Sequence, residues 1–119
     1  MELNNYFLIG EVALSHDGSL GQAFKYIDMA ADLGLNAIKF QLHIAEYESS
    51  EFEDFRSKFS IQDDTRSTYW ERTGFSKSEW LKLRDYAKIK KLKFILTPFS
   101  LQAVDICAEL NVDFIKVGS

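Results

Sequence analysis

Two lysines in this sequence lie within apolar stretches that otherwise have the character of buried β-strands. Lys39 lies in the stretch 36–42, NAIKFQL, and Lys116 lies in the stretch 112–119, VDFIKVGS. An ammonium group in a packed interior is costly unless a negative group meets it. The chain has 18 acidic and 14 basic residues, so two such lysines indicate a pocket built for an anion rather than a generally basic surface.

Further polar residues lie near the C-terminal ends of the predicted strands. The hydrophobic pattern places these strands at residues 6–12, 36–42, 92–97 and 113–117. In parallel α/β folds, ligands bind at this edge of the sheet. Two ammonium groups with amide and hydroxyl donors suit a phosphate, a carboxylate or both. The candidate side chains at this edge are Glu11, Lys39, Gln41, Thr97, Lys116 and Ser119.

Glu11 is the acid of this set and cannot itself bind an anion. Its carboxylate could accept hydrogen bonds from substrate hydroxyls or act as a base. It could also form a structural ion pair with one of the two lysines.

Helical segments separate the predicted strands. Ser19 with Gln22, and Ser76 with Glu79, have the spacing of N-terminal capping boxes at the start of two helices. A shorter helix is predicted to begin at about Leu101. Because the strands alternate with helices that are apolar on one side, we expect parallel strands joined by right-handed crossovers.

Two architectures fit this order, a doubly wound sheet or part of a (β/α)8 barrel. Strand alternation places Lys39 and Gln41 on the face opposite Ile38 and Phe40. Helices cover both faces of a doubly wound sheet, whereas a barrel lets Lys39 point into the lumen. A complete barrel needs about 250 residues. We therefore predict an α/β fold in which residues 1–119 form the first half of a (β/α)8 TIM barrel, with about four parallel strands and helical crossovers.

The segment 43–75 breaks this periodicity and combines acidic with aromatic residues. Connections of this length in compact domains are lids, binding loops or disordered segments, and the aromatic content argues against disorder. We expect short helical turns that cover the strand C-terminal face; the alternative is a surface insertion held together by its aromatic side chains. The residues concerned include Glu46, Glu48, Glu51, Phe52, Glu53, Asp54, Phe55, Phe59, Asp63, Asp64, Tyr69 and Trp70.

The composition argues against several classes of protein. A net charge of −4 argues against binding nucleic acid through a basic surface, and no apolar stretch approaches the ~20 residues of a membrane helix. The N-terminus lacks the features of a signal peptide, and the single Cys107 fits a reducing compartment, so we expect a cytoplasmic protein. For His16, no second histidine stands at ligand spacing, and we expect a hydrogen-bonding role rather than metal ligation.

Four short motifs follow one another along the chain. They are IGEVALSHDG at residues 9–18, AIKFQ at 37–41, LTPFS at 96–100 and FIKVGS at 114–119. In order, they resemble A-E-I-G-x-N-H-N-G, A-V-K-F-Q, S-T-P-F-D and F-K-I-A-S or K-I-G-S, which are motifs of the sialic acid (N-acetylneuraminate) synthase family. The order of the motifs makes the resemblance specific, and it extends over nearly the whole chain.

The resemblance implies a transferase of sialic acid and carbohydrate biosynthesis. Such an enzyme condenses phosphoenolpyruvate with an N-acetylated amino sugar, N-acetylmannosamine or a related one, to give a nonulosonic acid and phosphate. It would be a homodimer whose divalent metal, commonly manganese (Mn²⁺), activates the sugar aldehyde. Its TIM barrel would be followed by an antifreeze-like domain. Residues 1–119 would be the N-terminal half of the barrel, without its remainder or the C-terminal domain, and we expect this piece alone to be inactive.

The resemblance also assigns roles to individual residues. Glu11 would be catalytic and contact the sugar. The metal-binding histidines of the family come from later strands, so no metal ligand is expected in this chain. Ala13, Ser15 and Asp17 stand where the family usually has a glycine and two asparagines, which bears on the choice of sugar. The residues that would hold the phosphate and carboxylate of phosphoenolpyruvate are Lys39, Gln41, Thr97, Lys116 and Ser119.

Two other functions stay open on the residues alone. A Schiff-base aldolase would share the barrel and use Lys116 as its nucleophile. A non-catalytic barrel half would act as a binding or assembly module. Borohydride trapping with pyruvate separates the aldolase from the synthase, because the synthase reaction forms no imine. Absence of phosphoenolpyruvate binding even in the full-length protein would favour the binding module.

Overall fold

The computed structural model describes residues 5–48 and 60–119. No helix within these two ranges is both long and apolar enough to cross a membrane. The elements, in chain order, are β1 (Ile9–Ala13), α1 (Leu20–Asp32), β2 (Ala37–Leu42), a 3-10 turn (Ala45–Tyr47), α2 (Arg66–Thr73), α3 (Lys77–Ile89), β3 (Lys93–Pro98), α4 (Leu101–Leu110) and β4 (Phe114–Ile115).

The four strands are parallel and lie side by side in chain order. A doubly wound sheet reverses its strand order at a switch point, whereas a barrel places each strand beside the one before it. The register sets Glu11 beside Lys39, and Lys39 beside Ile95. The fold is therefore the predicted four-stranded part of a (β/α)8 barrel, and its polar strand residues share one edge.

The core lies between the helices and one face of β2 and β3. The rings of Phe40 and Phe94 are buried with their centroids 5.8 Å apart. Trp80 of α3 meets Phe40 edge-on, also at 5.8 Å, and Ile27 and Leu83 complete the packing from α1 and α3. Burial of each such side chain contributes about 1.5–3 kcal/mol, so this face fixes the strands that carry the site.

Serine caps fix the points where the helices begin. Ser76 Oγ accepts the N–H of Glu79, and the Glu79 carboxylate accepts the N–H of Ser76 at 2.9 Å, which confirms the predicted capping box. At Ser19 the serine half of the predicted box is present, since its Oγ accepts the N–H of Gln22 at 3.1 Å. Ser100 caps α4 in the same way. Each cap stabilises its helix by about 1 kcal/mol.

Both outer strands are shorter than predicted. β1 begins at Ile9 rather than at residue 6, and β4 consists of Phe114 and Ile115. Within the described residues each of these strands pairs on one side, so fewer ladder hydrogen bonds hold its ends. Lys116 lies just past β4 and is exposed, and the Lys39 side chain is 19% exposed. The prediction that both lysines are buried is therefore wrong for Lys116 and overstated for Lys39.

The backbone at the end of β1 has a conformation that suits glycine. Ala13 has a φ of 54°, in the left-handed region where a Cβ is strained. The register of β1 against β2 also shifts between Glu11 and Ala13. The resembled motif has glycine at the position of Ala13. The backbone at Ala13 therefore has a conformation that favours glycine, although the residue is alanine.

The connection between β2 and α3 contains the predicted helical turns. The 3-10 turn follows β2 directly, and Trp70 of α2 stacks on His43 just past the end of that strand. In the described part of segment 43–75, helical turns therefore cover the strand C-terminal edge, as predicted. The residues of that prediction that lie outside the described ranges are Glu51, Phe52, Glu53, Asp54, Phe55 and Phe59.

Candidate functional site

Three charged groups meet on the face of the sheet opposite the helices. Lys39 Nζ lies 3.8 Å from Glu11 Oε2, and the charge of Lys116 is close enough to Glu11 to favour its ionised form. The two lysines come from either side of β3, as predicted. The three groups form one cluster, here called the lysine cluster, which carries one more positive charge than negative.

Glu11 occupies a mixed environment within the lysine cluster. Partial burial raises the pKa of its carboxyl, and the charges of Lys39 and Lys116 act in the opposite direction. Its side chain is 45% exposed, so solvent screens both effects. The 3.8 Å separation from Lys39 is longer than a hydrogen bond. A carboxylate held this loosely is free to accept a hydrogen bond from a ligand hydroxyl or to take up a proton from it.

An apolar cavity lies beside the lysine cluster. Its volume is ≈ 340 Å³. Ile95 forms a buried wall, and the rings of Phe7 and Phe114 meet edge to face at 6.1 Å. A low-dielectric wall strengthens the attraction between an ammonium group and an anion. The residues that line it are Phe7, Ile9, Lys39, Ile95, Phe114, Ile115 and Lys116.

Gln41 and Thr97 lie next to each other, one step nearer the C-terminal edge than Lys39. They are register partners on β2 and β3, and Thr97 is 4% exposed. The chain after β4 passes close to them, because a Cβ on Gly118 would lie 3.8 Å from Thr97 Cγ2 and 3.3 Å from Phe99 Cε1. A side chain at position 118 would therefore crowd the ring of Phe99.

The structure brings most of the predicted site residues to one edge. Ser119 is exposed, and it makes no hydrogen bond to any residue of the described ranges. The residues that share the edge are Glu11, Lys39, Gln41, Thr97 and Lys116.

A second polar group, centred on His43, was not among the predicted site residues. Nδ1 of His43 lies 2.7 Å from Glu48 Oε1, and Nε2 lies 3.0 Å from Gln41 Oε1. The imidazole is stacked between Trp70 and Phe99. The available sequence signal was a histidine two residues after a candidate ligand, with a glutamate five residues further on.

The His43 group forms one wall of a cleft at the mouth of the sheet. The cleft has a volume of ≈ 510 Å³ and lies at the C-terminal end of β2, where Gln41 is the second-last residue of the strand. Its aromatic and hydroxyl groups are of the kind that contact sugars, whose C–H faces stack on rings. The residues that line it are Ala13, Leu14, Ser15, Gln41, His43, Tyr69, Trp70 and Phe99.

His16 has the hydrogen-bonding role predicted for it. Its Nδ1 accepts the N–H of Gly18 at 3.0 Å, which leaves the proton of the neutral ring on Nε2. Burial lowers the pKa of His16 from 6.5 to about 4, and the ring packs on Phe75 with centroids 4.5 Å apart. His16 therefore stabilises the turn after β1 as a neutral group.

The described residues do not fit the divalent metal that the resemblance implies. Within residues 5–48 and 60–119, no three His, Cys, Asp or Glu side chains are grouped so that they could hold a metal ion. Nδ1 of His16 is engaged by Gly18, and both ring nitrogens of His43 have partners.

Known proteins resemble this chain in both sequence and structure. N,N'-diacetyllegionaminic acid synthase of Campylobacter jejuni is 28% identical over 115 residues, which cover 94% of this chain and 34% of that protein. N-acetylneuraminate-9-phosphate synthase of Homo sapiens is 30% identical over 116 residues, which cover 95% of this chain and 32% of that protein.

A solved structure agrees with these relatives. The crystal structure of N-acetylneuraminic acid (sialic acid) synthetase from Leptospira borgpetersenii matches with a TM-score of 0.72 at 30% identity, covering 93% of this chain and 35% of that one. The chain thus spans about a third of the length of the relatives it matches. The model of the NeuB family matches residues 26–119. This chain belongs to the NeuB family, which includes sialic acid and legionaminic acid synthases.

Proposed function

We propose that this chain supplies the anion-binding edge of a nonulosonic acid synthase. The complete enzyme would condense phosphoenolpyruvate with an N-acetylated amino sugar, N-acetylmannosamine or a related one, and release phosphate. The observation that carries the proposal is the excess positive charge of the lysine cluster beside an apolar cavity at the C-terminal edge of parallel strands. Phosphoenolpyruvate has this combination of two anionic groups around a small apolar carbon unit.

The two lysines would anchor the ligand. In this role Lys39 and Lys116 donate charge-assisted hydrogen bonds to the phosphate and the carboxylate, and Thr97 and Gln41 add neutral donors beside them. Ser119, also assigned by the resemblance, would have to turn toward the edge from its exposed position. Anchoring both anionic groups would hold C3 of phosphoenolpyruvate in place for a new bond to the aldehyde carbon of the sugar.

Glu11 would act on the sugar side of the same edge. Its carboxyl group is partly open to solvent and its pKa is raised by burial, so it is suited to accept a hydrogen bond from a substrate hydroxyl or to exchange a proton with it. An anion bound by the lysines would compete with Glu11 for Lys39 and repel its carboxylate, which would leave Glu11 free to contact the sugar.

Several parts of the proposal concern the complete protein. The rest of the barrel, an antifreeze-like domain, a homodimeric assembly and a cytoplasmic location all follow the family pattern. The divalent metal, Mn²⁺ in the family pattern, would take its ligands from outside the described residues.

Product analysis tests the proposed activity. The complete protein, supplied with phosphoenolpyruvate, N-acetylmannosamine or a diacetylated amino sugar, and Mn²⁺, should release phosphate and form a nonulosonic acid. Residues 1–119 alone should form none. Product from the 119-residue chain would contradict the assignment of a partial site, and the absence of turnover by the complete protein with all acceptors would contradict the synthase function.

The geometry does not favour the Schiff-base aldolase. A lysine that forms an imine is activated by an apolar enclosure or a neighbouring cation. Lys116 borders the apolar cavity and shares a cluster with Lys39, but it is exposed to solvent rather than enclosed. Treatment with pyruvate and borohydride should therefore leave Lys116 unmodified by mass spectrometry. A trapped adduct on Lys116 would contradict the synthase assignment and favour the aldolase.

A further inference from the structure

The side chains of Glu48, His43 and Gln41 form a hydrogen-bonded series in which the carboxylate fixes the orientation of the imidazole. The side chains of His43 and Glu48 are each 6% exposed. Oε1 of Glu48 lies 2.7 Å from Nδ1 of His43, and Oε2 accepts the N–H of Ile44 at 2.7 Å. An ionised carboxylate can only accept hydrogen bonds, so Nδ1 carries a proton and both oxygens of Glu48 are used to fix one imidazole.

Two aromatic rings hold the same imidazole from either side. The rings of Trp70 and Phe99 are each within 8° of parallel to His43, with centroid distances of 4.6 Å and 4.1 Å. Trp70 comes from α2 and Phe99 from the residues after β3. Stacking on both faces prevents the imidazole from tilting, and the bond to Glu48 prevents it from turning within its own plane. Nε2 therefore points in one direction.

Nε2 points at the side-chain amide of Gln41. The atom that faces it at 3.0 Å is the amide oxygen, Oε1. With Oε1 as the facing atom, Nε2–H of His43 donates to Gln41 and Nδ1–H donates to Glu48. With its oxygen turned to His43, the amide of Gln41 directs its NH2 group away from the imidazole.

We propose that Glu48 and His43 are positioning residues that keep the Gln41 amide with its NH2 group facing the ligand. This makes Gln41 a hydrogen-bond donor to an anionic oxygen of phosphoenolpyruvate. The identity of the ligand rests on the proposed function, whereas the orientation of the amide does not. A free amide would sample both orientations, and one of them presents an oxygen that repels an anion. Fixing the donor in advance removes this cost from binding.

Side-chain dynamics test the orientation without any ligand. In the complete protein, ¹⁵N relaxation of the Gln41 side-chain amide should show an ordered group, and His43→Leu should make it mobile. Glu48→Gln, which keeps the size of the side chain, should increase the mobility as well. Glu46→Gln makes the same chemical change at an exposed position of the same turn and should have no effect. An amide that is equally mobile in the wild type and in His43→Leu would overturn the proposal.

A double-mutant cycle tests whether His43 acts through Gln41. Calorimetric titration with phosphoenolpyruvate should show about tenfold weaker binding for Gln41→Ala and for His43→Leu, as expected for one hydrogen bond to a charged group. The double variant should bind no more weakly than Gln41→Ala alone. His43→Gln, which can place a donor near the Nε2 position, should recover part of the affinity. Losses that multiply in the double variant would show that His43 acts independently of Gln41.

The two tests separate this inference from the proposed function. If the wild-type protein does not bind phosphoenolpyruvate, the proposed function fails, and the amide dynamics alone decide the positioning role. If the wild type binds and the two losses multiply, the positioning role fails while the proposed function stands.

Discussion

Lys39 and Lys116 occupy equivalent places in two similar motifs but very different places in the structure. Lys39 lies in β2, which has a hydrogen-bonded strand on each side, and its ammonium group is 3.8 Å from a carboxylate. Lys116 follows a strand of two residues that has one neighbour in the described chain, and it is exposed. The same side chain is enclosed in one case and open to solvent in the other.

This difference shows which part of the site is already formed. The central strands β2 and β3 are held by ladders on both sides and by the aromatic core beneath them. Their side chains Lys39, Gln41 and Thr97 are therefore fixed before a ligand arrives. Groups on the outer strands become enclosed when a further strand pairs with them, as barrel closure requires.

The largest contrast between central and outer strands should appear in stability. Phe94→Ala removes a ring that is 1% exposed in β3, and should lower the free energy of unfolding by about 3–5 kcal/mol. Phe114→Ala removes a ring of β4 that is 51% exposed and should cost less than about 1.5 kcal/mol. Urea titration of both variants measures the difference. Equal losses would mean that β4 is as well packed as β3.

The buried His16 should also make the free energy of unfolding depend on pH. His16 has a folded-state pKa of about 4 against an ordinary value of 6.5. Between these values the unfolded chain binds a proton that the folded chain does not, so stability falls as the pH is lowered through this window. The loss should approach about 3 kcal/mol below pH 4, at about 1.36 kcal/mol per unit. Urea titrations across the pH range measure it.

His16→Asn is the matched control for the acid response. Asparagine keeps an acceptor for the N–H of Gly18 and does not titrate, so this part of the pH dependence should disappear. An unchanged pH dependence in the variant would assign the acid sensitivity to other groups.

A smaller effect is expected from the carboxylate in the lysine cluster. Glu11→Gln removes the negative charge 3.8 Å from Lys39, so inorganic phosphate should bind more tightly by about 1 kcal/mol, roughly fivefold, and less so at high salt. Turnover of the complete enzyme should fall, because the group proposed to contact the sugar is lost. Weaker phosphate binding by Glu11→Gln would contradict the arrangement of charges described here.

The smallest effect is expected at the end of β1. Ala13→Gly relieves the strain of a positive φ of 54°, but it also makes the unfolded chain more flexible. A net gain in unfolding free energy of less than about 1 kcal/mol should result. Ala31→Gly, within α1, should instead destabilise the chain by about 1 kcal/mol. A clear loss of stability in Ala13→Gly would show that the backbone there is not strained.

The sequence predicted those parts of the molecule in which local pattern and tertiary structure agree. The Ser76–Glu79 cap, the parallel strand order and the meeting of Gln41 with Thr97 all follow from periodicity and from the geometry of parallel sheets. The exposure of Lys116 could not be predicted in this way, because it depends on how many neighbours an outer strand has.

The His43 group lay beyond prediction for a different reason. Its partners are spread over the end of β2, the 3-10 turn, α2 and the residues after β3, and they meet only in the folded chain. No local periodicity relates Trp70 or Phe99 to His43. Hydrogen bonds between a strand end and irregular connections follow from tertiary placement, which residue spacing does not encode.

The central claim is that the lysine cluster binds the anionic groups of phosphoenolpyruvate. Calorimetric titration of the complete protein with phosphoenolpyruvate tests it most directly, with Lys39→Ala beside Lys82→Ala, an exposed lysine of α3, as the matched control. We predict binding at one site per chain, weakened about ten- to a hundredfold by Lys39→Ala and unchanged by Lys82→Ala. Equal affinities for the wild type and Lys39→Ala would contradict the claim.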